Sequence, residues 1–241
     1  MLQSRVTILS TRNIDETLVQ DASSKNVAID VIPFIKTDRA LTGEILAEVQ
    51  KASAESGAVI FTSSNAVEAI AVVVDLKKAN ILRWKIFCTG YATKQSVVKY
   101  FGEELIAGVA DNAEELAKAI VEANVSNVIF FCGNQRRDEL PGLLKKNNID
   151  VEEIVVYQTI ASPEKIEKKY DGILFFSPSA VKSFFKDNRP GNETVLFAIG
   201  NTTADEIKKI SNNKMVVGDV PDTNSLLNKV IAYFQTNPIH H

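Results

Sequence analysis

Short apolar runs alternate along this chain with segments of helical spacing. "VTIL", "AVIFTS", "KIFCTG", "NVIFFC", "GILFFS", "TVLFAIG" and "KMVVG" are rich in β-branched and aromatic residues. Each is followed by a polar turn, and most of these turns lead into a stretch with apolar residues three and four apart. Continuous apolar runs predict strands buried on both faces, the condition of a parallel sheet covered by helices. Helix starts are marked by Asn112 with Glu115, the capping-box spacing, and by Ser177 before Pro178. Gly57 and Gly102 stand where helices stop. The predicted fold class is α/β, two doubly wound parallel-sheet domains of similar plan.

The similarity of plan comes from a doubled text. "VIFTSSNAVEAI" (Val59 to Ile70) is rewritten as "ILFFSPSAVKSFF" (Ile173 to Phe185). "FCTGYATKQSVVKYFG" parallels "FAIGNTTADEIKKIS", and "AGVADNAEELAKAIVEA" parallels "VVGDVPDTNSLLNKVIAYF". The segment from Arg5 to Thr37 shares the strand, turn, helix, Asn-rich turn, strand layout of Asn127 to Ile160. Matching units in one order point to internal duplication. Extended, proline-punctuated joints occur at "DVIPFIKT" (Asp30 to Thr37) and "IVVYQTIASP" (Ile154 to Pro163). Periodicity alone accommodates either simple halves dividing near Asn124 or swapped halves with the chain crossing at both joints.

Composition narrows the chemistry. With 241 residues, 45% hydrophobic and 24% charged, the chain reads as an ordinary globular protein of one or two domains. A net charge of −3 argues against a broad nucleic-acid surface, yet backbone amides at helix N-termini bind anions without formal charge. The start, "MLQSRVTILSTR", lacks the basic and apolar regions of a secretory signal, and no apolar stretch reaches the roughly 20 residues of a membrane span. Cys88 and Cys132, the two cysteines, make no disulfide framework and fit a reducing, cytoplasmic setting. His240 and His241 are the only histidines and resemble a tag remnant, so Ser-His-Asp, Cys-His and histidine-zinc chemistry lack their central residue. No G-x-G-x-x-G or G-x-x-x-x-G-K-[ST] follows a strand.

In open α/β sheets ligands gather beyond the carboxyl ends of the strands. Those ends read "STR" (to Arg12), "TSSN" (Thr62 to Asn65), "TGYAT" (Thr89 to Thr93), "CGNQR" (Cys132 to Arg136), "SPS" (Ser177 to Ser179) and "GNTT" (Gly200 to Thr203). Small hydroxylic and amide residues entering helices leave outward N–H groups backed by the helix dipole, which makes neutral anion receptors. A plainer account makes them helix caps only; their recurrence at so many matching ends favours an anion-binding cleft. Tyr157 stands apart in the second joint. A phenol is ordinarily protonated at neutral pH and can give its proton to a leaving group, although packing across a strand explains it as well. Cys132 reads as a small buried residue, having no base beside it.

Taken together, "VIFTSSNAVEAI", "CTGYAT", "DNAEELAKAI", "FFCGNQRRDELPGLLKKNNIDVEEIVVYQTIASP", "LFFSPSAVKSFF" and "FAIGNTTADEI" resemble the uroporphyrinogen-III synthase family from Val6 to about Phe234. The resemblance implies the swapped arrangement: 1–32 with 163–241 as one α/β domain, 38–154 as the other, and 33–37 with 155–162 as a two-stranded β linker. It places the ligand in a cleft between the domains. It implies a cofactor-independent closure of the linear tetrapyrrole hydroxymethylbilane to uroporphyrinogen III, with loss of water and inversion of the last ring through a spiro intermediate. Tyr157 matches the family's tyrosine and becomes the proton donor to the departing hydroxyl. Thr62, Ser63, Ser64, Asn65, Gly133 and Asn134 would grip substrate carboxylates from one domain, and Ser177, Ser179, Thr202 and Thr203 from the other, with Thr93 close by and Arg12 and Arg137 as charge partners. Ser64 and Asn201 stand where many relatives carry proline. The resemblance further implies a cytoplasmic monomer that binds neither nucleic acid nor membrane and raises transient contact with hydroxymethylbilane synthase. Two rivals are a two-domain protein that closes on an anion without catalysis, and a phosphosugar-handling enzyme.

Overall fold

A computed structural model of the chain describes residues 5–54, 57–74 and 83–238. His240 and His241 lie outside the described residues. The chain divides into two compact units. One runs up to Lys36 and resumes at Ile160, and the other is Thr37–Thr159.

In the first unit, strands β1 (Val6–Ser10) and β2 (Val27–Val31) flank helix α1 (Glu16–Ser24). Later in the chain come strands β9 (Gly172–Phe175), β10 (Val195–Ala198) and β11 (Met215–Val217), alternating with helices α7 (Pro178–Asp187), α8 (Asn201–Lys208) and α9 (Thr223–Thr236). The five strands lie in the order β11-β10-β9-β1-β2 and pair in parallel. Successive side chains go to opposite faces, as the strand period requires. On β10, Val195 and Phe197 join the core built with α1 and α9, whereas Leu196 and Ala198 join the core under α7 and α8. Both faces being covered, the sheet is doubly wound.

The second unit has the same plan in a different chain order. It contains β3 (Ile35–Arg39), α2 (Gly43–Ala54), β4 (Ala58–Phe61), α3 (Ser64–Val73), β5 (Lys85–Thr89), α4 (Tyr91–Phe101), β6 (Ile106–Ala110), α5 (Ala113–Glu122), β7 (Asn127–Gly133), α6 (Glu139–Lys146) and β8 (Asp150–Ala161). Its sheet order is β3-β8-β7-β4-β5-β6. Reversed, β6-β5-β4-β7-β8 corresponds strand for strand to β11-β10-β9-β1-β2. The duplicated phrases occupy equivalent places: β4-α3 matches β9-α7, β5-α4 matches β10-α8, and β7-α6-β8 matches β1-α1-β2. Val59 and Phe61 of β4 face the core beneath α2, α3 and α4, and Ala58 and Ile60 face the core beneath α5 and α6. Full burial of one such large side chain contributes about 1.5–3 kcal/mol.

Both passages of the chain between units run through strands, β3 and β8, which are neighbours in the six-stranded sheet. The Ala40 N–H donates to the Val156 carbonyl at 3.0 Å and the Ser162 N–H to the Phe34 carbonyl at 2.9 Å. In these two bonds one strand's numbers rise as the other's fall, which is the antiparallel pattern. Among the described residues no helix is long and apolar enough to cross a membrane.

Candidate active site

The carboxyl ends of the strands carry the polar turns. At the end of β4, Ser63 adopts extended backbone and its hydroxyl accepts the Asn65 N–H, capping α3. At the end of β9, Ser177 does the same for α7 through the Ala180 N–H at 3.2 Å. The doubled phrase is therefore a pair of serine-capped helix starts, one in each unit. The matching starts of α4 and α8 differ: Gly90 and Gly200 occupy their N-caps, and no side chain caps either helix. No side chain takes up their first-turn N–H groups, although the Thr203 N–H turns back to the Gly200 carbonyl at 3.1 Å, and the positive end of the helix dipole lies behind them. Gly90 has φ +79° and ψ 154°, a conformation essentially confined to glycine.

In the second unit this edge encloses a cavity of about 420 Å³. Thr62 lines it from β4, Thr89 from β5, Asp111 and Asn112 from β6, Gln135 to Arg137 from β7, and Tyr157 from β8. Arg136 pairs with Glu153 and, at 2.7 Å, with Asp138; the hydrogen bond to Glu153 raises its pKa. Arg137 is exposed and lines the same cavity. At the start of α5, Asn112 accepts the Glu115 N–H at 2.9 Å, and Glu115 accepts the Asp111 N–H at 3.3 Å.

Tyr157 owes its setting to an irregularity. β7 and β8 pair regularly to Cys132–Val155, then the register shifts so that Gly133 faces Tyr157. Ile154 and Val156 belong to one core and Val155 packs against the other. Strict alternation would send Tyr157 with Val155; the bulge instead leaves it against the core that holds Val156. The strand end is tied down around it: the Asn134 N–H donates to the Tyr157 carbonyl at 3.2 Å, the Thr159 N–H to Asn134 Oδ1 at 2.9 Å, and Gln135 Nε2 to the Thr159 carbonyl at 3.2 Å.

In the first unit, Arg12 leaves β1 with its guanidinium 4.1 Å from the centroid of the Phe176 ring and donates to the hydroxyl of Thr223. Packing strips part of its water and lowers its pKa, with nearby Asp222 acting the other way. An arginine so shifted still carries its charge at neutral pH. Thr202 and Asn201 are exposed at the start of α8, and Ser179 is half-buried in the first turn of α7.

Four of the expected carboxylate contacts are buried or already have partners within the fold. Thr93 and Thr203 are 5% and 1% exposed, because the third residue of each helix turns inward to its own core. Gly133 is buried beneath the Tyr157 ring, and both the N–H and the side-chain oxygen Oδ1 of Asn134 are engaged with β8. Thr62, Arg137 and Tyr157 do meet on one cavity wall. Asp111, Gln135 and Glu139 line it too, and the strand-end positions of "DN" and "NQR" are the sequence signal for the first two. Cys132 is 1% exposed, and burial, with Glu153 nearby, pushes its thiol up to about 11.

Two doubly wound sheets with polar turns beyond the carboxyl ends of their strands define a class of α/β proteins whose ligands gather at those ends. A family model described as uroporphyrinogen-III synthase HemD matches residues 16–228, so the chain belongs to that family. It is accordingly a hydro-lyase of tetrapyrrole biosynthesis that cyclises hydroxymethylbilane. The uroporphyrinogen-III synthase of Saccharomyces cerevisiae is 27% identical over 208 residues, 73% of this chain and 75% of the yeast protein. That of Schizosaccharomyces pombe is 25% identical over 171 residues, 65% of this chain and 66% of its own length. Among solved structures, a mutant uroporphyrinogen III synthase from the extremely thermophilic bacterium Thermus thermophilus aligns with TM-score 0.67 at 13% identity, covering 96% of this chain and 99% of that one. Uroporphyrinogen-III synthetase from Helicobacter pylori aligns with TM-score 0.67 at 14% identity, covering 95% and 99%. At such identities these two likenesses concern the fold alone.

Proposed function

We propose that Tyr157 is the proton donor of the cyclisation and that the strand-end turns of both units hold the substrate's carboxylates. The observation that carries the reading is a phenol on the wall of a cavity whose lining also holds the hydroxyls of Thr62 and Thr89, the amides of Asn112 and Gln135 and the guanidinium groups of Arg136 and Arg137, beside the carboxyls of Asp111 and Glu139. As the hydroxymethyl C–O bond breaks, its electron pair leaves with oxygen, Tyr157 supplies the proton that makes water, and the adjacent pyrrole feeds electrons into the vacated carbon. The substituted carbon of the last ring then bonds there to give the spiro intermediate. The protein's share is largely placement, because the pyrroles supply the electrons. Free N–H groups at the Gly90 and Gly200 helix starts, with Thr62, Ser63, Ser64, Asn65 and Arg137 in one unit and Arg12, Ser177, Ser179 and Thr202 in the other, are the groups available to a polycarboxylate.

The same reading takes the two units as the enzyme's domains, 1–32 with 163–241 and 38–154, linked by 33–37 and 155–162, with substrate in a cleft between them. It also takes the chain as a cytoplasmic monomer that meets hydroxymethylbilane synthase transiently; two buried free thiols suit a reducing compartment. The test is to generate hydroxymethylbilane in situ, add the protein, oxidise and separate the porphyrin isomers. Type III product is expected, and type I alone overturns the reading.

A further inference from the structure

We infer that Gly133 and Asn134 are positioning residues for Tyr157 and not carboxylate ligands, an inference that rests on the reading of Tyr157 as proton donor. A Cβ at position 133 would lie 2.6 Å from Tyr157 Cε2 and 2.7 Å from its hydroxyl oxygen. Those distances are about 1 Å inside ordinary van der Waals contact. The ring thus lies directly on the Gly133 backbone and occupies the space a side chain would take. Backbone conformation makes no separate demand for glycine: the described glycines with positive φ are Gly90 and Gly102, and Gly133 is not among them.

Asn134 completes the hold. Its N–H and its side-chain oxygen bind β8 at Tyr157 and at Thr159, two residues apart, just beyond the bulge that sets the phenol against the core holding Val156. One residue fixes the height of the ring and the next fixes the strand that carries it. Proton donation needs the hydroxyl within hydrogen-bond reach of the leaving oxygen, so a displacement of about 1 Å translates into turnover.

The experiment compares Gly133→Ala, Asn134→Ala and Tyr157→Phe, singly and with Gly133→Ala combined with Tyr157→Phe, by single-turnover and steady-state assay of type III isomer. Gly133→Ala is expected to lower kcat by about tenfold to a hundredfold with KM changed less than about twofold. Asn134→Ala, at an exposed residue, is expected to lower kcat by roughly threefold to tenfold, again with KM kept; it carries the test should Gly133→Ala not fold. Adding Gly133→Ala to Tyr157→Phe should cost less than about twofold more, because the step it serves is already lost. A Gly133→Ala kcat within twofold of the parent, a rise confined to KM, or an undiminished loss in the Tyr157→Phe background overturns the inference. Full turnover by Tyr157→Phe itself instead sinks the proton-donor reading on which it rests.

Discussion

The two units use one strand order but end their central strand pairs in opposite ways. In the first unit Ser10 pairs with Val31, and in the second Cys132 pairs with Val155. Counting onward, Thr11 and Pro33 occupy the places held by Gly133 and Tyr157. Thr11 is fully buried, its hydroxyl donating to the Leu174 carbonyl at 2.7 Å. A side chain at that place and a ring above it exclude each other, as the Gly133 clearance shows. The first unit kept the packed version, and the second opened the place for a phenol. The cation differs too: both guanidinium groups are exposed, but Arg12 is held against the Phe176 ring and the Thr223 hydroxyl, whereas Arg137 lines the cavity beside the Arg136–Glu153 pair. Two edges of one plan thus differ at these two places, and only one of them carries a phenol.

Tyr157→Phe breaks this contrast most directly. Turnover is expected to fall by about a hundredfold or more, the usual effect of removing a placed general acid, with KM little changed. Introducing Pro33→Tyr into that variant should restore nothing, because Thr11 fills the site; recovery of type III formation would refute the comparison.

Matched helix starts offer a second contrast. Gly90→Ala forces a side chain into φ +79° and should cost about 1–3 kcal/mol in urea unfolding. Gly200→Ala, at an extended φ of −175° with nothing within 4 Å of the new Cβ, should cost no more than about 0.5 kcal/mol. Equal losses would mean the two starts are not distinguished by backbone conformation.

Arg12→Gln is expected to raise KM about tenfold, and Arg137→Gln about threefold, since Arg12 is held in place by Phe176 and Thr223 and a charge not so held is more readily weakened by water and salt. The order of the two effects, read at low and high salt, tests whether pinning matters.

The smallest effect concerns pH. Asp30 of β2 accepts from Lys168 Nζ at 2.6 Å and from the Tyr170 hydroxyl at 2.7 Å, and the Lys168 bond is the main cause holding its pKa below the ordinary value. A depressed carboxyl contributes stability above its unfolded pKa of about 4 and loses it as pH falls through the lower folded value. Burial, then the hydrogen bond to Asp30, raises Tyr170, so that contribution is present at neutral pH and lost on the alkaline side, above about pH 10. Asp30→Asn should flatten the acid limb of a stability–pH curve and leave the second unit's cavity chemistry unchanged. An unaltered acid limb would show that the acid sensitivity lies elsewhere.

Much of the architecture was legible because the physics behind it is local. Apolar runs such as "AVIF" and "GILF" are buried along their length, and Ser63 and Ser177 cap the helices their position predicts. The site was legible by residue type but less by orientation. Thr93 and Thr203 have the chemistry of ligands, but their place in the helix turn sends them inward. Gly133 reads as a backbone donor until the register shift is known, because no periodicity announces a bulge. Asp111 and Glu139 carry no distinct chemical signal in the sequence, since isolated acidic residues at helix starts look like ordinary dipole partners.

The interleaved chain order also bears on how the molecule is made. The second unit is one uninterrupted segment, Thr37–Thr159, and can fold as it leaves the ribosome. β1 and β2 emerge earlier but find β9 only after that whole segment has been synthesised, a wait on the order of ten seconds at ordinary elongation rates. Until then their apolar faces and open strand edges stand without partners. Exposure to chaperones and to aggregation during synthesis is therefore expected to concentrate in the segment that carries β1 and β2.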